Sequence, residues 1–218
     1  GLVRDQFARV RDRIEFELSS DTDEIAARED YGYDASWTVM DAIVRDVGDD
    51  GMRAVFQALR DRKGAYDQEG DLRHDSSPGE WRRFLDLIEE VGGSSPMTER
   101  FRDWVVRPAD HDELDARLDA RTALATLEAT GDGWAAPWSV LDPMTRWRFD
   151  EAEAAIGTAE AVLEGRDELA AVEAASHLAS PDDLEARYED IEDAADAEEL
   201  IAIMAARVDA ATTLVAAR

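Results

Sequence analysis

Three histidines, His74, His111 and His177, are the first residues to weigh for chemistry. A hydrolytic zinc site needs two of them one helical turn apart, a third ligand, and a carboxylate beside the metal-bound water. These three are scattered, with no H-E-x-x-H among them. They read as surface or capping residues, so neither a metal nor another cofactor is expected within this chain. Carboxylates are so abundant that close pairs carry little meaning: Asp21/Asp23/Glu24, Asp49/Asp50, Asp182/Asp183/Glu185 and Asp190/Glu192/Asp193. An acid–base pair needs an apolar cleft to separate its two pKa values, whereas these clusters fall at expected helix starts and solvated faces. Solvated charge and helix capping account for them. Asp21 to Glu24 also lacks the central glycine and final glutamate of an EF-hand loop. There is no cysteine and no G-x-S-x-G elbow. The stretch Gly92-Gly-Ser-Ser-Pro96 lacks the Lys-Ser/Thr that completes a phosphate loop, and reads as the stop of one helix and the start of the next.

The elements that would position any such site read as helices throughout. Val3, Phe7, Val10, Ile14 and Leu18 share a helical face; so do Met40, Ile43, Val44 and Val47, and then Met52, Val55, Phe56 and Leu59. Ser77-Pro78-Gly79-Glu80 supplies a cap and an N-terminal proline for a helix carrying Trp81, Phe84, Leu85, Ile88 and Val91, which Gly92-Gly93 ends. A further helix after Ser95-Pro96 turns Met97, Phe101, Trp104 and Val105 inward. Residues 64 to 76 read as an exposed loop. Asp110 to Glu113 has a capping-box pattern, with Leu114, Leu118 and Leu127 along the helix that follows, up to Gly131-Asp-Gly133. After a connection from Trp134 to Pro143, Met144, Trp147, Ile156, Val162 and Leu163 suggest a helix closed by Gly165. Leu169, Val172 and Leu178 then suggest a separate one. Ser180-Pro181-Asp-Asp183 opens a fourth helix from Asp110 onward, with Leu184, Tyr188 and Ile191, and Leu200 to Val215 supplies a fifth or an extension of it. No alternating β pattern competes, so the fold class is all-α. The Ala-rich final helices predict an antiparallel hairpin or a three-helix bundle, within an acidic antiparallel helical bundle.

Residues 1–107 hold 16 basic and 25 acidic side chains, and residues 108–218 hold 8 and 27. This shift predicts two domains, a helical subdomain over 1–107 and an acidic Ala/Glu-rich bundle over 108–218. The net charge of −28 disfavours nucleic acid and anionic membranes as partners, and favours protein or peptide partners, basic surfaces and cations. No apolar run approaches the roughly 20 residues of a membrane helix. One lysine, Lys63, and no asparagine point to a GC-rich coding bias, which offers an environmental origin for the acidity.

Tyr33-Asp-Ala-Ser-Trp37, followed by Val39, Met40, Ile43, Val44 and Gly48, then Met52 to Leu59, the segment from Ser77 to Val91 and finally Glu99 to Val105, runs in an order that carries a resemblance. Residues 31–106 resemble the helical region that follows the zinc-ligand helices in gluzincin-type, aminopeptidase-like metallopeptidases. The resemblance implies that Tyr33, with Tyr31 as the fallback, occupies the place of a tyrosine that donates a hydrogen bond to the oxyanion of the tetrahedral intermediate. The plainer account of Tyr33 is a helix-entrance tyrosine packed on Trp37. The family's H-E-x-x-H helix and its glutamate ligand belong upstream of Tyr33, where residues 1–30 contain no histidine. The chain alone is therefore expected not to hydrolyse peptides, and zinc would belong to a longer parent, at the cell surface or outside the cell. A rival expectation is a non-enzymatic helical interaction or scaffold module, with Trp134, Trp138 and Trp147 as an aromatic docking patch unless they simply pack in the core.

Overall fold

The computed structural model describes residues 22–67, 80–176 and 181–217. The expected face of Val3 to Leu18, the Ser77 to Gly79 cap, Leu178, Ser180, His74 and His177 lie outside the described residues. Every regular element among the described residues is helical, so the protein is all-α. Among the described residues, eight α-helices follow in order: α1 (Thr22–Arg60), α2 (Glu80–Asp86), α3 (Thr98–Trp104), α4 (His111–Gly131), α5 (Trp138–Thr145), α6 (Phe149–Ser176), α7 (Leu184–Glu189) and α8 (Ala194–Ala216). A π-helical turn (Leu87–Val91) extends α2, and a 3-10 turn (Pro108–Asp110) leads into α4. The chain forms two compact units, residues 1–115 and 116–218, which divide inside α4.

In the first unit, α1 is two helical arms joined at Gly48, whose φ of 73° and ψ of 171° only glycine adopts without strain. Gly48 does not end the helix, which resumes directly after it. The core takes Ala35, Val39 and Ile43 from the first arm, and Met52, Val55 and Ala58 from the second. These arms pack on the π turn and on α3. Leu85 through Glu89 are five consecutive buried residues, so this stretch is enclosed on more than one side. The wide turn closes with Gly92 N–H donating to Leu87 O at 2.8 Å and Ser94 N–H donating to Ile88 O at 3.0 Å. Gly92 then meets α1 so closely that a Cβ built on Gly51 would lie 2.4 Å from its carbonyl oxygen.

Several inward assignments shift by one position. Val106, not Val105, is buried after α3, and Val44 and Phe56 of α1 face solvent. At α4 the two residues of the expected capping box are engaged in ion pairs, one tertiary and one local. Glu113 receives Arg82 in a two-pronged contact at 2.6 and 2.8 Å, and Asp110 pairs with Arg107 at 3.0 Å. Arg102 bridges Glu99 and Asp115. The described part of the expected loop is not fully exposed: Gly64 is buried, and its N–H donates to Asp67 at 2.6 Å.

In the second unit, α4 buries Arg117 and exposes Leu118, reversing the expectation for Leu118. The guanidinium of Arg117 lies 5.8 Å from the ring centroid of Trp147. The expected Trp134 to Pro143 connection contains most of α5, and Trp147 at φ 58° separates α5 from α6. Gly165 does not close a helix. It lies within the 28-residue α6, where a Cβ would sit 3.0 Å from Met204 Cε, so its small size admits α8.

The antiparallel arrangement expected for the closing helices is corrected for α6 and α8, which run in the same direction. Residues 154–158 share a cleft with residues 192–194; further along, Gly165 faces Met204, and Glu173 pairs with Arg207 at 3.1 Å. Both series ascend together. The return is made between them, where α7 sits and Ser139 N–H donates to Ile191 O at 2.9 Å. Short connections predict antiparallel neighbours only when no element intervenes, and the short α7 was not recognised as a return segment. Asp193 caps α8 by accepting from Ala195 and Asp196 N–H groups at 2.8 and 3.2 Å.

Candidate functional site

Tyr33 lies in the interior of the first arm of α1, not at a helix entrance, because α1 already runs from Thr22. It is 70% exposed, and Trp37, one turn further along, is 73% exposed. Because the helix starts well before it, the helix-entrance account of Tyr33 does not hold, and neither side chain is part of the core. The reason is visible in the helical phase. Ala35, Val39 and Ile43 form the buried sector of this arm, whereas Tyr33, Trp37, Met40, Val44 and Val47 form a second apolar sector around the helix from it. Met40 and Val47 are half-buried at its margin, and Tyr33, Trp37 and Val44 stand in solvent. Asp34 and Asp41 flank this sector, and Asp41 also holds Arg45 through contacts of 3.0 and 3.1 Å. Tyr31 contributes its backbone to the same arm.

Among the described residues, no hydrogen bond joins the Tyr33 hydroxyl to a group for acid–base or nucleophilic work. His111 opens α4, away from any such constellation, and the described residues contain no group of three or more His, Cys, Asp or Glu side chains placed to hold a metal ion. Asp49 and Asp50 are exposed beside the Gly48 break, and Asp182, Asp183 and Glu185 are exposed around the start of α7. The Gly92 to Pro96 loop is held by carboxylates: Asp46 accepts from Ser95 N–H at 2.7 Å and Glu89 accepts from Met97 N–H at 2.6 Å. Those acids occupy the donors and repel an anion, consistent with a helix junction and contrary to phosphate binding.

The three tryptophans of the second unit lie in three settings. Trp134 packs against the buried Tyr188 at 5.4 Å, with Arg166 5.0 Å from its ring; Trp147 packs against Phe149 at 5.3 Å. Arg166 also donates to the carbonyl oxygens of Thr130 and Gly131, closing the end of α4. Burial pushes the Tyr188 hydroxyl up to about 12, against the smaller lowering influence of Arg166 and with a small raising one from Glu160. Trp138 lines a cleft of about 310 Å³ together with Asp142, Arg148, Glu151, Thr158 and Asp193. Its charges pair among themselves: Asp142 holds Arg146 at 2.8 Å and Arg148 at 2.9 Å, and Arg148 reaches Glu151 at 2.7 Å. This network leaves α1 as the clearer candidate surface.

Compared with known proteins, the chain matches no family model, no curated protein and no solved structure. Among the described residues, no helix is long and apolar enough to cross a membrane.

Proposed function

We propose that this chain is a non-catalytic helical module that works by docking, and that the outer sector of α1 is its docking face. The observation that carries this reading is the exposure of Tyr33 and Trp37, at 70% and 73%, on a helix whose other sector is core. Large aromatics spaced one turn apart, standing in solvent beside Val44, form the kind of surface that aromatic anchors supply in interfaces. In the metallopeptidase-like version of the reading, the face is packed by the helices that bear the metal ligands, and Tyr33 points toward the reacting centre those helices create. The same exposure favours that version, because a tyrosine donating to an oxyanion has to be open to substrate.

The experiment is oxidative footprinting of Tyr33 and Trp37 in the purified chain, and in the product of its full reading frame. Protection of both in the longer product supports docking within one polypeptide; equal labelling in both removes that version. An H-E-x-x-H followed by a glutamate ligand upstream of Gly1 would identify the docked part as metallopeptidase-like. The 218-residue chain supplied with zinc is expected to leave unstructured peptides uncleaved, and turnover by it would overturn the non-catalytic reading.

A further inference from the structure

The outer sector of α1 has more specificity than a patch of exposed aromatics. Tyr33, Trp37, Met40, Val44 and Val47 follow one another at intervals of four, three, four and three residues. That is the two-in-seven seam of a coiled coil, narrower than the stripe a helix uses against a globular core. The seam extends over about 21 Å at 1.5 Å per residue, enough for four turns of a partner helix. The seam ends where Val47 turns toward Gly51 and Gly92.

The residues beside a seam decide which helix it accepts. Asp34 and Asp41 each follow a seam residue by one position and are exposed. Arg45, one position after Val44, pairs with Asp41 at 3.0 Å, so two acids against one base leave this border net acidic, with Asp34 its free carboxylate among the described residues. The opposite border contains Ile43, which is already committed to the core. The selecting charge is therefore negative, and the whole chain reinforces it with a net charge of −28. From these observations we infer that the outer sector of α1 binds an amphipathic helix with an apolar heptad seam flanked by lysine or arginine. This inference rests on the docking reading and adds the partner's secondary structure and charge. Basic flanks would meet Asp34 and Asp41 while the partner's apolar residues cover Trp37 and Tyr33.

The test uses the full 218-residue chain and three labelled 21-residue peptides, read by fluorescence anisotropy. One peptide carries Leu and Ile on the seam with Lys beside it; the second keeps the seam with Glu beside it; the third keeps Lys but places Ser on the seam. The first is expected to bind at least about 30-fold more tightly than either of the others, and raising the salt should weaken it. Trp37→Ala should weaken the first peptide about 30-fold, and Leu118→Ser, an exposed change in α4, should leave it unchanged. Asp34→Lys with Asp41→Lys should transfer the preference to the Glu peptide.

Equal binding of the Lys and Glu peptides, both weakened by Trp37→Ala, would overturn the charge selection while the docking face stood. No binding of either, or binding indifferent to Trp37→Ala, would overturn the inferred helix site and count against this face as the dock. A dimer seen by sedimentation equilibrium that dissociates in Trp37→Ala would make a second copy of the chain the occupant, and would overturn the inference.

Discussion

Replacing Gly51 by alanine adds one methyl group at the tightest crossing in the first unit. The new Cβ would stand 2.4 Å from Gly92 O, 2.7 Å from Val47 Cγ1 and 3.3 Å from Gly92 C. Ordinary contact begins near 3.4 Å, so α1 and the end of the π turn must separate by about 1 Å or distort. The obstructing atom is backbone, which has no rotamer to yield. Overpacking of this kind costs about 1–3 kcal/mol, and the upper part of that range applies where backbone is struck. Alanine regains up to about 1 kcal/mol of helix propensity, leaving a net loss of about 2 kcal/mol. At about 4 °C per kcal/mol, the midpoint of thermal unfolding should fall by about 8 °C. Gly32 supplies the opposite case in the same helix, because nothing lies within 4 Å of its Cβ position. Gly32→Ala should raise the midpoint by about 3 °C through propensity alone. The assay is thermal and urea unfolding followed by circular dichroism at 222 nm. The reasoning is refuted if Gly51→Ala proves as stable as the parent while Gly32→Ala is stabilised, since the crossing would then have room.

Gly48→Ala meets no steric neighbour but forces a side chain onto φ 73°, so a loss of about 1–3 kcal/mol is expected in urea titration despite the empty space. Between pH 10 and 12 the unfolded chain loses the Tyr188 proton while the folded chain keeps it, so stability present below pH 10 should fall by about 2 kcal/mol as pH rises toward 12. The urea midpoint followed across that range should carry a component that disappears in Tyr188→Phe. Arg82→Met removes the two-pronged contact with Glu113, and the partial exposure of both side chains limits the expected loss to about 1 kcal/mol by the same unfolding assay. Solvent-exposed pairs such as Arg53 with Asp50 should give no measurable change when broken, which provides the comparison.

The all-α class was legible because apolar residues recur at three and four throughout, and the glycine stops at Gly92-Gly93 and Gly131 to Gly133 punctuate real helix ends. Glycine alone was ambiguous elsewhere. Gly165 admits Met204 inside α6 and Gly48 bends α1 without stopping it, because a glycine can serve close approach or a positive φ as readily as termination. The direction of α6 relative to α8 was illegible for a related reason: six residues of α7 between them reverse the path, and so short a helix leaves little periodic signal. At α4 the local capping pattern was present, yet Arg82, distant in sequence, takes the Glu113 carboxylate. Local propensity yields to a charged tertiary partner that satisfies both oxygens at once.

The candidate site shows the same limit more sharply. Periodicity marked the first arm of α1 as apolar, but two sectors there satisfy helical spacing: Ala35, Val39 and Ile43 on one, and Tyr33, Trp37, Met40 and Val44 on the other. Hydrophobicity alone favours burying the larger set, and the fold buries the smaller. The crossing at Gly51 and Gly92 brings the second arm against backbone, while the first arm buries Ala35, Val39 and Ile43. With Ala35, Val39 and Ile43 turned inward, Tyr33 and Trp37 fall on the outer sector, and their apolar surface stays exposed. The seam at Tyr33 to Val47 thus follows from which sector this unit buries, and the selectivity inferred for it rests on the carboxylates at its border.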